Sequence, residues 1–299
     1  MASLNQLMQE HLARDWRADM PPEWRDFFAG VDPELDHLPD LEVPGVSPPR
    51  CVHEHPQQAG GNILNAHMTR AFDGLTPDTV RVVILGQDPY PRLGRATGRA
   101  FEDALWNAEQ PTVIADSLRR LLQSAAAYEH PHLGISEMAD DWGTVCNAIR
   151  REVILPPATP AYFDNLAAEG VLSVNAAWTF TGKDEALKRA HLRTWKPVMK
   201  RLLRQLTWRN GNAPIVFLLL GDDARSLFQA TVARCFRQDA LNGATRLATV
   251  YSDHPAFQRG GPYFACGNPM RRVNQALDRL GSLPVRWWPH HQGDANGLE

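Results

Sequence analysis

Cysteine is scarce in this chain. Four occur in 299 residues, Cys51, Cys146, Cys235 and Cys266, and no two form a CxxC pair. That spacing excludes a zinc ribbon, an iron–sulfur motif and a small disulfide-stapled scaffold. Long apolar runs are missing as well, so no segment reads as a membrane span, and Met1 to Asp19 is too polar for a secretory signal. The expectation is an intracellular protein. Surplus charge is also lacking: the formal net charge is -3, so a polyanionic partner would have to be met by a local patch. No internal repeat or low-complexity tract appears.

Histidine pairs stand at His53 and His55 around Glu54, at His130 and His132, and at His290 and His291. The first could suggest a metal, but it is flanked by proline and lies on no evident helix, so it reads as a solvated loop. No metal and no cofactor are expected.

What is present is a large, ordinary globular composition, 43% apolar and 22% charged. Residues 1–30 read as short helices rich in tryptophan, and 31–60 as an extended arm. Residues 1–59 are set apart as an N-terminal region before a main domain, 60–299. A helix is expected over Asn62 to Phe72, then a strand in "RVVIL", then a helix over Thr112 to Ala127 with Val113, Ile114, Leu118, Leu121 and Leu122 at helical spacing. Residues 128–160 read as an irregular inserted loop. A helix to Glu169, the strand "GVLSVNAAW", a helix from Thr194 to Leu206, the strand "PIVFLLL", a helix from Asp223, the strand "RLATVYS" and a helix from Pro269 to Leu280 complete the pattern.

Strands alternating with helices imply a mostly parallel sheet covered on both faces. Ligands of such sheets bind outside the carboxyl ends of the strands. Each strand here ends in polar residues: Gln87 and Asp88, Asn175, Asp222 and Asp223, and Asp253 with His254. Taken singly, Asp88 reads as a turn former and His254 as unremarkable. Together they offer a carboxylate, an imidazole and an amide on one rim, with Tyr90 and Phe101 able to wall a flat pocket. A planar ligand would stack on Phe101, and the Asn175 amide could pair with its edge. A single carboxylate suits a reaction that builds positive charge, such as an oxocarbenium ion at a sugar carbon.

"GQDPY" leading to Phe101, then "GVLSVNAAWT", "IVFLLLG", "HP" and "YFACGNPMRRVNQAL", with a final "PVRWWP", resembles the uracil-DNA glycosylase family, in order from about residue 60 to 289. The resemblance implies a central four-stranded parallel sheet flanked by helices, and excision of a base flipped out of DNA without metal or cofactor. The implied partner is DNA, single- or double-stranded, for a protein acting as a monomer and touching no membrane. Carried over by position, Asp88 would support the sugar cation and orient water, and His254 would stabilise the departing anion. Gln87, Tyr90, Phe101 and Asn175 would form the base pocket, with Tyr90 crowding the 5-position. Ser117 would grip phosphate, and Arg92, Arg95 and Arg99 would supply local positive charge to the DNA.

The sequence departs from the family at two loops. Pro91 stands where the family motif has a histidine that helps hold the water, and proline offers neither a side-chain donor nor an N–H. The loop "HPAFQRGGPYF" replaces "HPSPLS", so Gln258 takes the place of the leucine that fills the vacated stack. Phe257 is then the apolar wedge, flanked by Gln258 and Arg259. Ala176, Ala177 and Trp178 are expected to reshape the pocket floor. Three readings stay open on these residues: a uracil repair enzyme, a glycosylase for a modified pyrimidine in foreign or phage DNA, and a DNA-binding relative without catalysis. Retained Tyr90 favours the first, and the changed loop favours the second.

Overall fold

The computed structural model describes residues 3–13, 15–36, 38, 41, 66–106, 110–155, 161–208, 213–233 and 246–288. Four strands form one parallel sheet: β1 Val82–Gly86, β2 Val171–Asn175, β3 Ile215–Leu220 and β4 Leu247–Ser252, in the order β2-β1-β3-β4. Val82 lies beside Val171 on one side and Val216 on the other, and Gly86 ends level with Asn175. β1, β2 and β3 are buried along their whole length, as expected of parallel strands covered on both faces. The expected fold class is the one observed.

Alternation along β1 divides the core in two. Val82 and Ile84 face α3 (Asp116–Glu129), α4 (Trp142–Arg150) and the last helix, α9 (Pro269–Arg279); Val83 and Leu85 face α6 (Glu185–Thr207) and the N-terminal aromatics. Between these come α1 (Leu4–His11), α2 (Pro22–Phe27), α5 (Ala161–Ala168), α7 (Asp222–Phe228) and the short α8 (Gly261–Ala265). Trp24 of α2 is fully buried and donates from Nε1 to the Leu75 carbonyl at 2.8 Å. Trp16 meets Trp178 edge-on at 5.6 Å, so the described N-terminal segment shares the sheet's core.

Several expectations are corrected. The segment 128–160 is not an irregular loop, since α4 lies within it. Trp142, Val145, Cys146 and Ile149 recur at i, i+3, i+4 and i+7 and bury one face against α3. The helix expected over 62–72 is reduced, among its described residues, to a single 3₁₀ turn at Arg70–Phe72. α6 begins nine residues before the expected Thr194. Asp184 caps it, its Oδ1 accepting the N–H groups of Ala186 (2.7 Å) and Leu187 (3.4 Å). Trp178 does not line a pocket floor: it stacks on Trp195 at 4.7 Å, and Ala176 and Ala177 are buried with it in the core. The pairs His53/His55 and His290/His291 lie outside the described residues.

Candidate active site

A cavity of about 420 Å³ opens at the carboxyl edge of the sheet, lined by Gln87, Asp88, Tyr90, Phe101, Asn175 and His254 among others. These are the six residues expected to form the catalytic and base-binding set. Their assembly follows from strand register. Beyond the ends of β1 and β2 the pairing continues, Ala176 N–H donating to the Gly86 carbonyl (3.0 Å) and Ala177 N–H to that of Gln87 (2.9 Å). The Asn175 amide is thereby fixed beside the "GQD" turn.

Gly86 lets the ring and the amide meet. A Cβ there would lie 2.5 Å from Asn175 Oδ1 and 3.0 Å from the Phe101 ring. Phe101 adopts φ 68, an uncommon conformation for a non-glycine residue. Its carbonyl accepts the Tyr90 hydroxyl at 3.1 Å, and that hydroxyl also meets Ser117 Oγ at 2.8 Å. Tyr90 is therefore held at its tip from two sides, and Pro91 does not release it. Ser117 is buried, and its hydroxyl braces Tyr90.

Burial pushes the Asp88 carboxyl up to about 6, against the opposing pull of the Lys188 charge and the Gln87 amide, whose Nε2 donates to Asp88 Oδ2 at 3.4 Å. Burial holds His254 below its ordinary value, with Lys188 adding to the effect. Its Nδ1 lies 3.2 Å from the Ala256 N–H and accepts from it. In the neutral ring the proton then belongs on Nε2, leaving that nitrogen as a donor. The His254 and Phe101 ring centres are 6.1 Å apart, so one planar ligand can touch both.

The arginines divide. Arg92 is exposed. Arg95 is bound to the buried carboxylate of Asp103, which also accepts Leu105 N–H at 3.0 Å and Ala115 N–H at 2.7 Å. Arg99 is a correction: its guanidinium, 4% exposed, pairs with Asp164 at 2.6 Å and Glu102 at 3.5 Å. A charge neutralised there holds the loop together and gives little to DNA.

In the second loop Phe257 is 53% exposed. Gln258 and Arg259 both take positive φ, 43 and 57, followed by Gly260 at 82. Arg120, 1% exposed, stabilises this turn by donating from Nη2 to the Arg259 carbonyl at 2.6 Å and from Nη1 to the Asp116 carbonyl at 3.0 Å. Sequence reasoning missed Arg120, although a basic residue inside the apolar stripe of α3 was a usable signal. It also missed Lys183, which lines the cavity, and Lys188, which lies outside every motif. Among the described residues no group of three His, Cys, Asp or Glu could hold a metal, and no helix is long and apolar enough to cross a membrane.

A carboxylate, an imidazole, an aromatic ring and an amide around one cavity are groups suited to hydrolysing the bond between a flat base and its sugar. Residues 73–278 match the Uracil DNA glycosylase superfamily. The uracil-DNA glycosylase 1 of Streptomyces avermitilis is 30% identical over 229 residues, 77% of this chain and 79% of its own. The uracil-DNA glycosylase of Lacticaseibacillus casei is 26% identical over 221 residues, covering 74% and 77% of the two chains. In fold the chain is similar to the wild-type UNG of Nitratifractor salsuginis, with a TM-score of 0.53 at 23% identity over 96% of this chain and 100% of that one. The chain belongs to the uracil DNA glycosylase superfamily.

Proposed function

We propose that this protein hydrolyses the N-glycosidic bond of uracil flipped out of DNA, acting as a single chain. The observation that carries the choice of base is the pinned Tyr90. Its hydroxyl is tied to the Phe101 carbonyl and to Ser117, so the ring stays against the cavity, and a base with a 5-methyl group meets it. A polar 5-substituent would need a donor nearby, and the guanidinium groups of Arg95 and Arg99 are occupied by Asp103, Glu102 and Asp164.

The chemistry then runs on the residues in place. The base stacks on Phe101, and Asn175 pairs with its edge. As the C1′–N bond breaks, its electron pair leaves with the base, and the Nε2–H of His254 donates to the developing anion. Ionised Asp88 stabilises the cation left on the sugar and orients a water, which adds to C1′ and passes its proton to the Asp88 carboxylate, from which it returns through solvent to neutralise the departed base anion. Phe257 occupies the space vacated in the stack, with Gln258 and Arg259 beside it at the strand, and exposed Arg92 lies toward the phosphates, while the Ser117 hydroxyl is taken up by Tyr90. The three-sided placement of Asp88, His254 and Asn175 around one cavity supports catalysis over binding alone.

The test is direct. Oligonucleotides carrying uracil, thymine or 5-modified cytosines are incubated with the protein and assayed for alkali-labile abasic sites. Uracil alone should be released. Release of a bulky 5-modified cytosine with uracil left intact would overturn the reading.

A further inference from the structure

α6 carries a row of cations that the excision chemistry does not use. Arg189, Arg193, Lys196 and Lys200 follow one another at spacings of four, three and four residues, which places them on one face of the helix. They flank a groove of about 700 Å³ between α6 and α7, floored by the half-buried Leu192 and Leu227. Two carboxylates border it: Asp223, which pairs with Lys188 at 3.2 Å, and Glu34, 3.8 Å from Arg193. Among the described residues no carboxylate lies within ion-pair distance of Arg189, Lys196 or Lys200. Like charges stacked at these spacings destabilise a helix, and among the described residues only Glu34, at Arg193, pairs with a member of the row. In a chain of net charge -3 the row is a local exception.

Topology says where the row leads. α6 connects the carboxyl end of β2 to the amino end of the parallel strand β3, so it starts at the rim of the active site and runs down the flank of the sheet. The field of Lys188, on its first turns, reaches both Asp88 and His254. From Arg189 to Lys200 the row extends about 16 Å, enough to follow a few phosphates of an extended strand. A duplex is too stiff to turn down that flank, whereas a single strand is not. Cations along the wall and apolar side chains on the floor suit a phosphodiester chain with its sugars and bases turned inward.

We infer that the α6 groove binds the single-stranded DNA flanking the target nucleotide, as a sequence-independent second contact outside the active-site cavity. The inference rests on the reading of the protein as a DNA glycosylase, but not on which base is excised. Phosphate contacts dominate, because among the described residues no aromatic side chain lines the groove. Binding there should be salt-sensitive and tolerant of sequence.

The experiment uses the full chain and a short duplex without uracil, either blunt or bearing a single-stranded tail of about eight nucleotides on either end. Affinity is measured by fluorescence anisotropy across a salt series, for the natural protein and for Arg193→Gln/Lys196→Gln/Lys200→Gln. The tail should tighten binding of the natural protein several-fold. The triple variant should lose that gain, with the slope of log K on log salt falling by roughly 0.7 for each cation removed, while blunt-duplex affinity holds and the melting temperature does not fall. Lys196→Arg should keep the gain. A tail that adds nothing, or a gain that survives the triple variant with its salt slope unchanged, overturns the inference and leaves the row to an acidic protein partner. Because the probe carries no uracil, a failure of the uracil reading shows only in the separate excision assay.

Discussion

Phe101 and Asn175 close over the same bare backbone: a Cβ on Gly86 would sit 3.0 Å from the Phe101 ring and 2.5 Å from the Asn175 amide oxygen. The stacking surface and the edge-reading amide are thus set against each other through a missing methyl group. Gly86 has an ordinary strand conformation, so alanine there strains no dihedral and acts by displacement alone. Gly86→Ala should leave the sheet intact by circular dichroism and lower kcat/KM for uracil excision by about 10²-fold, the scale of a misplacement near 1 Å. Unchanged excision would show that the pair tolerates the shift.

Asp88 gives a prediction with two readouts of opposite sign. With Asp88 acting ionised as proposed, kcat/KM should rise with pH through about 6 and level off above it. Stability should run the other way. The folded protein holds the Asp88 proton above the ordinary value of 3.8, so this group lowers stability as pH rises from there to about 6, and the cost is complete at neutral pH. Asp88→Asn should therefore lower single-turnover excision by orders of magnitude while raising unfolding stability at pH 7 by up to about 3 kcal/mol. Near-normal excision by this variant would remove Asp88 from the mechanism.

The sheet and its polar rim were legible because both are local in sequence. Buried parallel strands are short apolar runs, and Asp88, Asn175 and His254 each follow such a run directly. Arg99 was misread for the opposite reason. Its partners, Glu102 and Asp164, are set by packing, and nothing in "GRAF" distinguishes a buried guanidinium from a solvated one. α6 was cut short at Thr194 because Pro197 reads as a first-turn proline, the one helical place where its missing N–H costs nothing. α4 was missed although its apolar spacing is regular, since Gly143 and the proline-rich stretch after it dominate the local signal. Arg120 acts across 139 residues of sequence on the Arg259 carbonyl, a contact that only the folded chain creates.

Tyr90 is expected to act as a gate on base size, and its hydroxyl as the latch. Tyr90→Ala should newly admit thymine, measured as release from a thymine-containing oligonucleotide. Tyr90→Phe keeps the ring but loses the bonds to Phe101 and Ser117, so it should admit thymine more weakly, at the cost of two hydrogen bonds of about 1 kcal/mol each. If Tyr90→Ala still rejects thymine, the exclusion lies elsewhere in the cavity.

The wedge loop offers the last prediction. Phe257 stands exposed at the start of a turn in which Gln258, Arg259 and Gly260 all take positive φ, and the buried guanidinium of Arg120 anchors it from below. Only glycine fits at position 260: its φ is 82, and a Cβ would fall 2.1 Å from Arg120 Nε. Gly260→Ala should displace Arg120 and add backbone strain of roughly 1–2 kcal/mol, misplacing Phe257 without removing it. Phe257→Ala removes the wedge and leaves the turn intact. Both variants should lose more excision on duplex DNA than on single strands, where no stack has to be held open. Equal losses of Phe257→Ala on the two substrates would show that the ring does another job, and a Gly260→Ala protein as active on duplex as the natural one would free the wedge from its anchor.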